Sequence, residues 1–560
     1  MRFISTLLLA LAGVSSFVAA TEVDGVKVDR LVSRSVGLEK RDKGFRKGHG
    51  QKGNYELSFY HVNDVHAHLD EFRSSGSACT DPTKGCVGGY SRIKTVIDKK
   101  RKTKKNSLLL NAGDEFQGTL FYTVFKGEKI AQTLNQLGFD AMTLGNHEFD
   151  DGDDLLADFL SKLKFPTISS NIHTTHKKLK KQLLPYKIWN KHSLAVVAVT
   201  TETTKGISKP GNGTEFEDPV TAVQRTVDQI KKRHRNVKRI VALTHIGFDQ
   251  DVELAKKTRG FNLIIGGHSH TLLGDSANSA SAGSYPTIAT NLDNEEVFIV
   301  TSYRWGEYVG YIDLEYDRHG RIVGYEGAPI HLTNTTAQDT RLQKQVDAWA
   351  GEFEEFAARV IGTTTTLLDQ STCQKQECTL GDFSADSMAD YRPLADGALL
   401  NAGGIRASID VGDITVQDAL TVFPFGNSNV ELTFTGEELW NIFEGIFSAT
   451  SQSNGRPVTS GVQVSRSIRI TQNPNNPAGQ RLISLEIGGE PVQLEKVYTI
   501  VTLDFLASGG DNFWEPRSDA VLLNTMDEVW MDYVTEKTPI SVELDGRISV
   551  TEETVPQKGN

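Results

Sequence analysis

Leu57-Ser58-Phe59-Tyr60-His61-Val62-Asn63-Asp64-Val65-His66-Ala67-His68 begins as a short apolar run and breaks into ligating side chains. The run reads as a buried strand that closes into a loop. If the loop stays extended, residues two apart point the same way, so Asp64 and His66 can grip one ion. Four similar endings follow. Leu108–Asn111 runs into Ala112-Gly113-Asp114, and a third segment reads Leu144-Gly145-Asn146-His147-Glu148-Phe149-Asp150. Ile240–Thr244 ends at His245, and Leu263–Ile265 runs into Gly266-Gly267-His268-Ser269-His270, whose histidines share a face if extended.

Each ending alone says little, because Gly-Asp and Gly-Asn usually mark turns. Five of them after apolar strands say more, since ligands in α/β sheets collect beyond the carboxyl ends of the strands. Leu194–Thr200 adds another buried strand, and Ile130–Leu137 and Val220–Arg233 carry helical periodicity. The alternation predicts an α/β domain over 54–335. Leu342, Val346, Trp349, Phe353, Phe356 and Val360 then recur at three- and four-residue steps. This predicts one long linker helix over 336–360. A second α/β domain is expected over 361–553, with strands such as Ala398–Leu400 and Tyr498–Thr502.

The chain has 560 residues and a formal net charge of −11. That excludes a nucleic-acid polymer as partner, because such affinity comes from Lys and Arg neutralising phosphates. A small phosphorylated ligand requires local positive charge, for which metal is the natural source. Arg2, the apolar stretch Phe3–Ala12 and the small residues before Ala20 read as a signal peptide over 1–20. Lys40-Arg41 marks the end of an expected propeptide over 21–41, followed by a basic, Gly-rich stretch over 42–53. Neither this leader nor any later stretch is long enough to span a bilayer, and Thr554–Asn560 lacks a lipid-anchor tail. A soluble extracellular protein without a membrane anchor is expected. In that compartment four cysteines suggest two disulfides with three open pairings. The local loops Cys79–Cys86 and Cys373–Cys378 are the simplest, with a zinc knuckle as the competing reading. Asn212-Gly213-Thr214 and Asn334-Thr335-Thr336 are glycosylation sequons.

The ordered set D-x-H, G-D, G-N-H-E, H, G-H-x-H resembles the calcineurin-like metallophosphoesterases. The fuller strings are similar to their 5′-nucleotidase and UDP-sugar hydrolase branch. The resemblance implies an αββα sandwich joined by a long helix to a C-terminal α/β nucleotidase domain. It implies that Asp64, His66, Asp114 and His270 hold one divalent ion. Asp114, Asn146, His245 and His268 hold the second, with Asp114 bridging. Such mixed nitrogen and oxygen ligands suit zinc, manganese or cobalt, with zinc first. Two such ions outweigh the charges of Asp64 and Asp114, so the site attracts a phosphate dianion. The step then expected is in-line attack on phosphorus by hydroxide that the metals would supply. His147, oriented by Asp150, stabilises the transition state and helps protonate the leaving oxygen. His68 stays outside the ligand set, and His173, His192, His234 and His319 read as surface or packing residues.

The second domain carries further matches. Asn401-Ala402-Gly403-Gly404-Ile405-Arg406 is similar to a family segment whose Asn contacts the base and whose Arg contacts phosphate. Phe423-Pro424-Phe425-Gly426-Asn427 and Phe505-Leu506-Ala507-Ser508-Gly509-Gly510-Asp511 resemble two more. The resemblance implies that Phe425 and Phe505 sandwich the base and that Asp511 accepts the ribose hydroxyls. The chain departs from the family between Cys373 and Cys378. Gln374, Lys375 and Gln376 stand where arginine is common, and a lysine cannot make arginine's bidentate clamp. The expected substrate is a small nucleotide, and the expected reaction is a metal-dependent 5′-nucleotidase's hydrolysis of nucleoside 5′-monophosphates. A UDP-sugar or dinucleotide pyrophosphatase and a 2′,3′-cyclic nucleotide phosphodiesterase remain the alternatives. Catalysis is expected to need closure of the second domain onto the first.

Overall fold

A computed structural model of the chain describes residues 54–73, 76, 78, 79, 82, 85–274, 281–517 and 519–554. The expected signal peptide, propeptide and basic stretch over 1–53 lie outside the described residues. Strand Leu194–Thr200 shows how sequence becomes layers. Leu194, Val196 and Ala198 face a neighbouring sheet, while Ala195, Val197 and Val199 face helices, so both sides are apolar and buried. Burial of Leu194 and of each of the three valines contributes about 1.5–3 kcal/mol, and less for the two alanines, which holds the strand in the interior.

Seven strands form one sheet, ordered Ile322–His331, Tyr308–Tyr316, Tyr55–Val62, Ser107–Asn111, Ala141–Met142, Thr167–Ile168 and Leu183–Leu184. Six form the second, ordered Thr287–Thr290, Glu296–Val300, Leu263–Ile265, Arg239–His245, Leu194–Thr200 and Tyr186–Trp189. Leu57, Phe59, Leu108 and Leu110 meet Val196, Val241, Leu243 and Ile265 between the sheets. Helices Tyr90–Thr103 and Gly127–Leu137 cover one outer face, and Pro219–Arg233 covers the other. The last begins where Asp218 accepts the Thr221 N–H at 2.8 Å and Pro219 fixes the first turn. Its buried stripe is Ala222, Val223, Thr226, Val227 and Ile230. This is the αββα sandwich.

The linker departs from expectation. Thr340–Ala350 is helical and capped by Asp339, but the chain leaves the helix at Gly351. Glu354–Ala357 is one further turn, and Val360 already begins strand Val360–Thr364. Phe353 explains the break: it turns inward against Phe121 and Phe125, ring centroids 5.3 and 6.1 Å away. Gly351, a poor helix former, sits where the helix yields. Phe356 and Val360 point to solvent, so the apolar repeat does not mark one face.

The second α/β half holds a five-stranded sheet, ordered Val462–Val464, Gly397–Asn401, Val497–Leu503, Ser428–Thr435 and Val521–Thr525. A four-stranded sheet, Glu490–Pro491, Leu482–Ile487, Ile468–Gln472 and Ile548–Val550, lies in the same half. Disulfides join Cys79 to Cys86 and Cys373 to Cys378. No helix among the described residues is long and apolar enough to cross a membrane.

Candidate functional site

Parallel pairing brings the ligating loops to common sheet edges. Tyr55–Val62 runs parallel to Ser107–Asn111, and Arg239–His245 runs parallel to both Leu194–Thr200 and Leu263–Ile265. Beyond the strand ends the backbone is not extended. Asp64, His66, Asp114, His268 and His270 take φ between 49° and 87°, a region that non-glycine residues rarely occupy. The extended backbone assumed for both segments is therefore corrected: Asp64 and His66 still come together, but His268 and His270 do not share a face. Backbone bonds from Asp64 to Gly113, from His66 to Asp114 and from Ala67 to Glu115, each 2.9 Å, offset the strain by lashing the two loops together.

The ligating atoms fall into two groups, Asp64 with His66 and His270, and Asp114 with His245 and His268, each within 4.8 Å. The histidines two apart thus serve different groups. Asp114 Oδ2 lies 3.0 Å from His245 Nε2 and 3.8 Å from His66 Nε2, between the groups. His66 and His270 bring their Nε2 atoms to 3.0 Å. The Nδ1 atoms of His66 and His245 donate to the Phe116 and Ala112 carbonyls at 3.1 and 2.7 Å. Both Nε2 lone pairs therefore face the site. Asn146 Oδ1 is enclosed without a hydrogen-bond partner, an arrangement that costs about 1–3 kcal/mol unless something else satisfies it. Convergent carboxylate, amide and imidazole lone pairs are what a borderline divalent cation takes, so the residues fit metal.

The electrostatics ask for positive charge. Burial pushes the Asp64 carboxyl up to about 6. Burial alone would also raise Asp114, but the charges of His245 and His147 outweigh it and hold that carboxyl well below its usual range. His245 goes up to about 10, because Asp114 and Asp64 overcome the effect of its burial.

His147 Nδ1 is 2.7 Å from Asp150 Oδ2, and Asp150 Oδ1 accepts from Ser208 Oγ at 2.8 Å. Burial disfavours the charged ring, yet the Asp150 and Asp114 carboxylates prevail and raise its pKa. Asp150→Asn is expected to lower kcat about 10–100-fold, the usual effect of losing such a partner. It should also move the alkaline limb of the pH profile to lower pH, because the acid form of His147 is lost once pH exceeds its pKa. A pH–rate series on both proteins checks this, and an unmoved limb would remove Asp150 from the assignment.

Sequence reading missed several supports. Glu148 accepts the backbone N–H groups of Asp114, Glu115 and Gly145 at 3.0, 2.6 and 2.5 Å, fixing one ligand loop against another. Asn63 donates to Asp64 Oδ2 and to the Tyr303 carbonyl, each at 2.6 Å. A Cβ on Gly145 would lie 2.1 Å from Asp114 Oδ1, so only glycine fits there. His68 joins neither ligand group and stacks on Trp305 at 5.1 Å, with Nδ1 held by the Val65 and His66 carbonyls. His192 packs against Tyr55, and His173, His234 and His319 bond Glu217, Tyr186 and Arg318.

A cavity of about 630 Å3 opens over Asp114, Asn146, His147, His268 and His270. Asn401, Arg406, Phe425, Phe505 and Asp511 line the same cavity from the second half. Asp511 is buried and accepts from Asn401 Nδ2 at 2.7 Å and Thr459 Oγ1 at 2.6 Å. Phe425 stacks on His147 with ring centroids 5.6 Å apart, and the Arg406 guanidinium lies 5.7 Å from the Phe425 ring. Gln374 reaches the cavity, but its Oε1 is engaged by Gly461 N–H at 3.0 Å. Lys375 is exposed and does not line the cavity, whereas Arg304, which no motif flags, does.

Residues 57–272 match the calcineurin-like phosphoesterase family, and residues 360–516 match the 5′-nucleotidase C-terminal domain. The 5′-nucleotidase of Homo sapiens is 32% identical over 89% of this chain and 91% of its own length. The snake venom 5′-nucleotidase of Naja atra is 31% identical over 89% of this chain and 99% of its own. The crystal structure of the 5′-nucleotidase precursor from Thermus thermophilus superposes with a TM-score of 0.80 at 31% identity. It covers 89% of this chain and all of that one. With its two ligand groups and shared cavity, the chain belongs to the 5′-nucleotidase family of calcineurin-like phosphoesterases and is a phosphoric monoester hydrolase.

Proposed function

We propose that the chain is a secreted 5′-nucleotidase that releases phosphate from nucleoside 5′-monophosphates such as AMP, using two divalent ions of which zinc is the first candidate. Family membership implies divalent metal. The observation that carries the rest is the single cavity, faced on one side by both ligand groups and on the other by Phe425, Phe505, Asn401 and Asp511. Bound ions supply Lewis-acid charge and a water of lowered pKa. Around them His147, its Nδ1 engaged by Asp150, has Nε2 left to hand a proton to the departing 5′ oxygen. Arg406 faces the phosphate, the two phenylalanines take the base, and Asp511 takes the ribose. Stacking of Phe425 on His147 means that this loop shifts when a leaving group occupies the space between them. The sequon asparagines Asn212 and Asn334 are exposed, which suits glycosylation during secretion.

The test is phosphate release from AMP beside a UDP-sugar and a 2′,3′-cyclic nucleotide, with wild type and Phe505→Ala. AMP is expected to be the best substrate. The variant should raise KM for AMP by about 5–150-fold, which corresponds to ~1–3 kcal/mol of lost stacking, and leave ribose 5-phosphate hydrolysis within a few-fold. Preference for the UDP-sugar or the cyclic nucleotide would overturn the monophosphate assignment.

A further inference from the structure

Tyr303, Arg304 and Trp305 connect strand Glu296–Val300 to strand Tyr308–Tyr316. Tyr303 and Trp305 both hold positive φ, 69° and 58°. Two strained non-glycine residues on either side of one side chain need a cause. Part of it is tethering to the metal loop: the Tyr303 carbonyl accepts from Asn63 at 2.6 Å, and Trp305 N–H donates to the Asp64 carbonyl at 2.6 Å. Trp305 is buried and locked between Phe72 and His68, ring centroids 5.6 and 5.1 Å away. The Arg304 guanidinium lies over that indole with Cζ 3.7 Å from the ring centroid. The platform fixes the plane of the guanidinium and covers one of its faces.

Its edge is only partly engaged: Tyr303 shares a side-chain hydrogen bond with it and the Glu307 carboxylate adds charge nearby. Arg304 makes no ion pair among the described residues, and Nε is enclosed with no hydrogen-bond partner. It lines the same cavity as Arg406 and His270, near enough that its charge disfavours protonation of both. Two guanidinium groups that repel each other are thus held towards one cavity, one from each half of the chain. Another cation at the cavity, Lys126, is already matched to Asp151 at 3.1 Å.

We propose that Arg304 is the second guanidinium on the substrate phosphate, gripping from the metal-bearing half the group that Arg406 grips from the other half. It supplies the planar, bidentate donor that Gln374, Lys375 and Gln376 do not. The inference rests on the nucleotidase reading for the identity of the substrate, while phosphate recognition is tested on its own.

The experiment measures inorganic phosphate binding by titration calorimetry on the metal-loaded protein. Wild type, Arg304→Gln, Arg304→Ala and Arg304→Lys are compared, together with KM for AMP, inhibition by adenosine, bound metal and melting temperature. Arg304→Gln and Arg304→Ala are expected to weaken phosphate binding and raise KM for AMP by about tenfold or more. Arg304→Lys should recover part of this, because a lysine is a point charge. Adenosine inhibition and metal content should stay at wild-type levels. Unchanged phosphate affinity, an equal loss of adenosine inhibition, or metal content that falls in both Gln and Ala variants would each overturn the proposal. A wild type whose phosphate affinity depends on Arg304 but which cleaves no monophosphate would leave Arg304 in place and remove the nucleotidase reading.

Discussion

Asp114→Ala is expected to lower phosphate release from AMP about a thousandfold or more. The carboxylate lies between the two ligand groups, 3.0 Å from His245 and 3.8 Å from His66. Its other oxygen accepts the His147 N–H at 2.9 Å. One substitution therefore removes the carboxylate that lies between the two groups, leaves His245 without its counter-charge and frees the backbone that positions His147. Metal centres of this kind contribute several kcal/mol at the transition state, and each 1.36 kcal/mol is about tenfold in rate. Wild type stripped with chelator should regain activity on adding zinc or manganese, whereas the variant should not recover at any concentration. Metal analysis should find fewer than two ions per chain in the variant. A variant that keeps two ions and works within tenfold of wild type would show that Asp114 does not bridge.

His147→Ala is the second large effect, expected at about 10²–10⁴-fold in kcat with KM for AMP little changed. Its diagnostic is the leaving group. A nucleoside 5′ oxygen needs a proton as the bond breaks, but p-nitrophenolate does not. The loss on p-nitrophenyl phosphate should therefore be much smaller than the loss on AMP. Equal losses on the two esters would assign His147 to holding the phosphate rather than to protonating the leaving oxygen. The pH profile gives a second check: the Asp150 and Asp114 carboxylates raise the pKa of the ring and so move the limb that falls as pH rises to higher pH, and that limb should vanish in the variant.

Strands were legible in the sequence because both faces are apolar. Leu194–Thr200 and Leu263–Ile265 sit where the pattern puts them, and the other strands differ by a residue or two at their ends. The linker was misread because Trp349, Phe353 and Phe356 keep helical spacing while serving different surroundings, and one inward-turning phenylalanine breaks the helix. Asp64, His66, His268 and His270 were found from residue type and position after strands. Alternation put Asp64 with His66, as the structure does, but it could not separate His268 from His270, because that depends on left-handed backbone that periodicity does not encode. Glu148 was quoted within a motif, but its role is to accept backbone N–H groups, and a glutamate doing this has no distinctive sequence context. Arg304 left no signal, since what aims it is strain on its neighbours and a tryptophan platform.

The division of the cavity between two stretches of chain has an evolutionary reading. The ligating side chains lie within residues 64–270 and are lashed to one another, while the groups proposed to take the base and sugar lie within 401–511 and close on themselves through Asn401, Thr459 and Asp511. The second stretch can accumulate substitutions that alter which nucleotide is accepted without displacing a ligand in the first. Such a lineage can diversify its diet at constant chemistry, and a chimera that grafts 361–553 from a relative should inherit the donor's preference while keeping this chain's metal requirement.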